Sequence, residues 1–283
     1  MRAIQQTLQV TKAMDLISTS KLRKGRRVLQ DIEPFFNRIQ KSMFDILSGA
    51  GNFHSNFFVP LKRGNEHHTA VIVVTSDKGL AGGYNANIFR HITQLCSKME
   101  KPMLILVGAI GYRYFVHSPY VILENFSFKS QLPDIIGASE ISEYIISQYL
   151  SGMFDEVYIA YTHMFNSIKI LPVDLQLLPL NLEKMQEEFT AAGQKRVELS
   201  FEYLPSRHEV FDALVPFYIK GVIYGALIEA YASEQSARMA AMDEASKNAE
   251  EMLANLRIYY NRVRQAGITQ EMSEIIGGSA ALE

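Results

Sequence analysis

From Ala226 to Ala266 the sequence contains neither glycine nor proline. As a helix rising about 1.5 Å per residue this stretch alone would span roughly 60 Å, which a compact domain built from 283 residues cannot enclose. Residues recur around it in alternating steps of four and three: Phe217, Gly221, Tyr224, Ile228, Tyr231, Gln235, Arg238, Met242, Ala245, Ala249, Met252, Leu256, Tyr259, Val263, Ala266 and Gln270. That is a heptad seam. Several of its positions are alanine, glycine or polar, which suits close approach of a second helix better than a thick apolar core.

A partner helix is available at the other end of the chain. From Ile4 to about Leu47, apolar positions recur at helical spacing through Thr7, Val10, Met14, Ile17, Val28, Ile32, Phe35, Ile39, Met43 and Ile46. Pro34 should bend or locally weaken this helix, and Ser48-Gly-Ala-Gly51 should end it. Pairing the first and last segments of one chain gives an antiparallel coiled coil. The alternative is a homodimeric coil through the C-terminal helix.

Between the two helices the period changes. Strands are expected at Thr69–Ser76, Pro102–Val107, Tyr120–Leu123, Glu156–Tyr161 and Ile168–Leu178, the last placed at an edge or made irregular by its proline. Helices are expected over Asn85–Glu100 and Ala138–Leu150, and Leu180–Ser206 reads as a surface connection. The fold class is therefore α/β: a long antiparallel coiled coil of N- and C-terminal helices plus a mostly parallel, Rossmann-like α/β domain. The expected divisions are 1–50 for the first shaft helix, 66–205 for the domain and 208–283 for the second shaft helix.

Composition narrows function. A formal net charge of -2 gives no global reason to expect nucleic acid. The single cysteine, Cys96, excludes an internal disulfide and any multi-cysteine metal site. No apolar run near 18 residues is expected to span a membrane, and a cytosolic chain is the default, which leaves room for a peripheral partner of a membrane complex.

No catalytic constellation emerges. Thr75-Ser-Asp-Lys-Gly-Leu-Ala-Gly-Gly-Tyr-Asn85 lies between a strand and a helix but lacks both common phosphate-loop spacings, so it reads as a tight turn with Asn85 as helix cap. His67 and His68, beside Arg63, Asn65 and Glu66, read as a solvated loop rather than a metal site. The basic run Lys21–Arg27 reads as a solvated helix face or, with Arg257, Arg262 and Arg264, as a positive collar facing acidic groups of a surrounding partner. The last twenty residues carry few large apolar side chains: they fray, or they are held inside another protein.

Three separated motifs occur in order: Val10-Thr-Lys-Ala-Met14 with Ser20-Lys-Leu-Arg23; Thr75–Leu80 with Gly82-Gly-Tyr-Asn85; and Arg238-Met-Ala-Ala-Met242, running on to Arg264-Gln-Ala-Gly-Ile-Thr-Gln-Glu271 and Ile275-Ile-Gly-Gly278. Over nearly its whole length the chain resembles the gamma subunits of F-type ATP synthases, the shaft that turns inside a ring of alternating alpha and beta subunits. The resemblance implies contacts with the alpha/beta head through Lys21, Leu22, Arg23, Arg238, Arg264, Gln265 and Thr269. It places the α/β domain as a foot beside the epsilon subunit and the membrane ring of c subunits. It implies no catalytic site, cofactor or metal in this chain, no nucleic-acid partner, and a peripheral position on the inner face of an energy-transducing membrane, the cytoplasmic side of a bacterial plasma membrane. Family members begin about a dozen residues upstream, and many have methionine where Leu22 stands. The competing class is a free coiled-coil adaptor or a nucleotide-binding module.

Overall fold

The computed structural model describes residues 1–48, 53–59, 67–127, 132–166, 169–181 and 202–280. The expected surface connection and the glycine stop after Ser48 fall largely outside them. Helix α1 (Arg2–Ser48) runs without a break through Pro34. The domain follows as β1 (His68–Val74), α2 (Tyr84–Cys96), β2 (Lys101–Val107), α3 (Ala109–Phe115), β3 (Val121–Phe126), α4 (Ile135–Leu150), β4 (Glu156–Met164) and β5 (Ile170–Leu178). Helix α5 (Arg207–Ala280) closes the chain with 74 residues, roughly 110 Å of helix.

The sheet order is β3-β2-β1-β4-β5. The first four strands are parallel and β5 is antiparallel on β4, at the edge its proline requires. Strand β1 is central, so both its faces are covered and its sequence from Ala70 to Val74 is an unbroken apolar run. Ala70, Ile72 and Val74 join Ile105, Val107, Val157 and Ile159 on the face packed by α1, α4 and α5. Val71, Val73, Leu104 and Leu106 face Ile88, Phe89, Ile92 and Phe115 of α2 and α3. Helix α3 was not anticipated from the sequence, being only seven residues long.

Helix α5 pairs antiparallel with α1 of its own chain, the first of the two expected arrangements, over the seam as far as Leu253. Thr11 and Ser246 hydroxyls bond at 2.7 Å in the buried contact, and Lys12 meets Glu250 at 2.6 Å. Farther along, Gly25 lies against Tyr231, and Gly221 receives the Phe36 ring. The seam frame differs from the apolar count. Val10, Ile17 and Phe35 are exposed, while Thr11, Ser18 and the half-buried Phe36 face inward; Phe217 and Met252 point out, while Ser246 and Leu253 point in. Small polar side chains occupy the contact because close backbones leave no room for larger ones, and an apolar count passes over them.

The α5 helix does contain an 18-residue window long and apolar enough to cross a membrane, contrary to the expectation of none. Half of that window is buried inside the protein, in the core formed with α1, α4 and the sheet.

A Cβ on Gly221 would stand 2.0 Å from the Phe36 ring. Gly221→Ala gains about 1 kcal/mol of helix propensity but must expel the ring, an overpacking cost of about 1–3 kcal/mol. A net loss is expected in chemical denaturation. Gly225, one turn on, has nothing within 4 Å, so Gly225→Ala is expected to stabilise by up to about 1 kcal/mol; equal effects at the two positions would refute this packing.

Candidate functional site

The rod and the domain are joined where the glycine turn after β1 meets α5. Thr75 donates its hydroxyl to the Val107 carbonyl at 2.8 Å and accepts from the Gly111 amide at 3.0 Å, which ties the end of β1 to the end of β2 and the start of α3. Gly108, at φ 101°, permits this approach, since a Cβ there would stand 2.4 Å from the Thr75 carbonyl oxygen. Asp77 accepts from the Ala109 amide at 2.9 Å. Asn85 is not the helix cap expected of it: Gly83 holds that position, and the Asn85 side chain folds back onto Ser76, donating to its hydroxyl at 2.7 Å.

Arg238 reaches from α5 into this turn. Its Nη2 donates to the carbonyls of Lys78 and Gly79 at 3.2 and 3.1 Å and to Glu234 Oε1 at 2.5 Å. Tyr84, the first residue of α2, donates to the Ala230 carbonyl at 3.2 Å, a second link between the domain and α5. Burial raises the Glu234 carboxyl above its ordinary range, and Arg238 opposes that rise. His163 Nδ1 and Glu229 Oε1 lie 2.6 Å apart and fasten β4 to α5.

Beyond the paired part α5 continues alone. From Ala254 to Ile275 every residue is exposed except the half-buried Leu256. Ile258, Tyr259, Tyr260, Val263, Ile268, Met272 and Ile275 are each at least half exposed, on all sides of the helix. Arg264 and Gln265 make no side-chain hydrogen bond or ion pair among the described residues, and Thr269 donates only to the Gln265 carbonyl one turn back.

The residues named from the resemblance therefore separate. Arg23, Arg264, Gln265 and Thr269 are displayed to solvent, and Lys21 is half-buried beside the joint. Leu22 and Arg238 are only 8% and 7% exposed, committed to their own chain by the α1–α5 contact and by the turn carbonyls. Both were expected among the contacts with the alpha/beta head, and within this chain both side chains are engaged by its own residues. The roles of Glu234, Asp77 and Tyr84 escaped sequence reading; the Glu234/Arg238 pair, four apart on a helix, was the one signal that could have shown part of it. No group of metal-ligating side chains occurs among the described residues. Burial pushes the Cys96 thiol up to about 11, so it is protonated at neutral pH.

Removing Arg238 leaves Glu234 enclosed without its cation, a change that costs about 3–5 kcal/mol in buried pairs. Arg238→Ala is expected at the lower end of that range in thermal or urea unfolding, with Glu234→Gln recovering part of the loss. Because the folded state holds the Glu234 proton more tightly than the unfolded state, its contribution is full at low pH and declines as pH rises through the folded pKa. Glu234→Gln should remove that decline, and an unaltered pH profile would refute the assignment.

A family model described as ATP synthase matches residues 1–282. The chain is 43% identical over 283 residues to the ATP synthase gamma chain of Ruminiclostridium cellulolyticum, covering 100% of this chain and 96% of that one. It is 35% identical over 293 residues to the sodium ion specific ATP synthase gamma chain of Acetobacterium woodii, covering 99% and 96%. Among solved structures, a chain of the Tetrahymena thermophila mitochondrial ATP synthase central stalk and c-ring superposes with a TM-score of 0.61 at 22% identity, over 84% of this chain and 99% of that one. A chain of the Euglena gracilis mitochondrial enzyme does so with 0.58 at 16% identity, over 96% and 95%. A family model over residues 1–282 and full-length similarity of this order make this chain a member of the ATP synthase gamma chain family.

Proposed function

We propose that this chain is the central-stalk subunit of an F-type ATP synthase, passing torque between a membrane ring of c subunits and a catalytic alpha/beta head while carrying no catalytic site of its own. The observation that carries this reading is the end of α5, a helix exposed on every side over its last described turns. A helix that leaves isoleucines, tyrosines and valine uncovered all round has no face to bury and suits enclosure in a sleeve. Membership of the family supports the alpha and beta subunits as that sleeve, with the epsilon subunit and the c-ring at the foot. The complex is membrane-associated, and this chain would sit peripherally on the cytoplasmic side of a bacterial plasma membrane.

Rotation constrains how such contacts are built. A shaft that presents successive faces to each catalytic site must release every contact it makes. Exposed polar contacts of about 0.2–1 kcal/mol each permit this, whereas buried interlocks would hold one angle. Exposure of Arg23, Arg264, Gln265 and Thr269 supports contacts of the first kind, and Lys21 stands beside Arg238 at the joint. The conformation of the catalytic sites would then follow the angle of the shaft.

Co-expression with the alpha and beta subunits of the same source is expected to yield a complex with one copy of this chain per alpha/beta ring and ATPase activity above that of alpha and beta alone. A small homo-oligomer indifferent to both would return the adaptor reading. Within the assembled enzyme, Arg264→Ala with Gln265→Ala is expected to lower torque and coupled ATP synthesis several-fold, consistent with two exposed contacts. Unchanged torque would remove the role given to that pair.

A further inference from the structure

A cleft of about 440 Å³ opens beside the joint, between the C-terminal ends of β1 and β2 and the flank of α5. Its place in the topology is informative. The chain passes from β1 to β2 and β3 on one side, then crosses back to set β4 on the other side of β1. In open α/β sheets, ligand crevices form outside the carboxyl ends of the strands, and this cleft lies outside those of β1 and β2, next to the strand at which the order reverses. The volume lies within the range of about 300–1,000 Å³ usual for small-molecule sites.

The charges around the cleft do not balance. Lys21, Lys78 and Arg238 line it, against Asp77 and Glu234. Glu234 is paired with Arg238, and Asp77 receives the Ala109 amide. Lys21 and Lys78 make no side-chain hydrogen bond or ion pair among the described residues. Gln235, 3% exposed, also lines the cleft, and its amide has no hydrogen-bond partner among them. Its amide is not among the buried polar atoms left without a partner, so it opens into the cleft and can donate to what enters there. Leu227 and Tyr231 add an apolar wall. The Lys21 pKa is lowered, first by burial and then by the positive charges of Arg238 and Lys78, a field that an anion would relieve.

We infer that this cleft binds a phosphate-bearing small ligand, with Lys21 and Lys78 as its cations and Gln235 as a neutral donor. The phosphate could be free or part of a nucleotide, and the apolar wall offers a base or ribose a surface. Turn glycines do not cradle the phosphate in this arrangement: the carbonyls of Lys78 and Gly79 are turned to Arg238. The site therefore has no resemblance to a phosphate loop. The inference goes beyond the shaft reading and is independent of it, since binding can be measured in the absence of the catalytic head.

The test uses the purified full chain, titrated with orthophosphate, pyrophosphate and ADP by calorimetry and ³¹P line broadening. Saturable binding of at least one is expected. Lys21→Gln with Lys78→Gln should weaken it by roughly tenfold or more, as expected for two lost charge-assisted contacts. Lys21→Arg with Lys78→Arg should retain most of it, and Lys247→Gln, on the far part of the rod, should change nothing. Gln235→Leu should weaken binding while circular dichroism is unaltered. ADP binding more tightly than orthophosphate and pyrophosphate identifies a nucleotide; preference for either inorganic ligand identifies free phosphate. No saturation by any of the three, or equal affinity in the Lys→Gln double variant, overturns the proposal.

Discussion

The α1–α5 contact is the constraint on which everything else in this molecule rests. It joins the first and last helices of one chain, so the α/β domain between them is a long insertion closed by the rod itself. The contact is made close by small residues: Gly25 under Tyr231, Gly221 under Phe36, and the Thr11–Ser246 hydroxyl pair. Close packing of two helices gains dispersion over their length without a wide apolar stripe. The outer faces of the rod are then free to be polar, as a part surrounded by other proteins needs.

The domain in turn is attached to the rod by polar contacts of high specificity. Arg238 holds two carbonyls of the turn after β1, Tyr84 holds the Ala230 carbonyl, and Glu229 meets His163. These join the ends of β1 and β4 and the start of α2 to successive turns of α5. Apolar packing alone would resist separation but would tolerate rotation of one part on the other. Directional bonds from three elements of the domain fix the angle between them, which a foot that transmits torque to a shaft requires.

Much of this was legible in the sequence, for physical reasons that differ by element. The rod was visible because forty residues free of glycine and proline have few other ways to fold. Strands β1 and β2 were visible because a strand covered on both faces must be apolar throughout. The frame of the rod was misread by one residue at Val10, Ile17, Phe35 and Met252: at Thr11 and Ser18 an apolar count passes over the inward hydroxyl residue, and at Phe36 and Leu253 it cannot choose between two adjacent apolar side chains. Helix α3 was missed because seven residues hold no periodic signal; it is fixed by Thr75 and Asp77, distant in sequence. Leu22 and Arg238 were expected to face a partner, and nothing in their spacing shows that the chain's own turn and helix enclose them.

The separation of enclosed from displayed residues bears on how the chain works. Motif residues fall into two populations in the structure. One is engaged inside the chain: Tyr84 and Arg238 join the domain to the rod, and Thr75, Asp77 and Asn85 fix the turn to which Arg238 binds. The other, Arg23, Arg264 and Gln265, is exposed. Stiffness is needed within the chain, where deformation would dissipate work, so its contacts there are buried and multiple. In the proposed shaft role slip is needed at its surface, where each contact must break as the next forms, and exposed polar side chains supply weak contacts of that kind. A single long helix meets both demands along its length, enclosed by its own chain as far as Leu253 and by nothing of its own past Arg257.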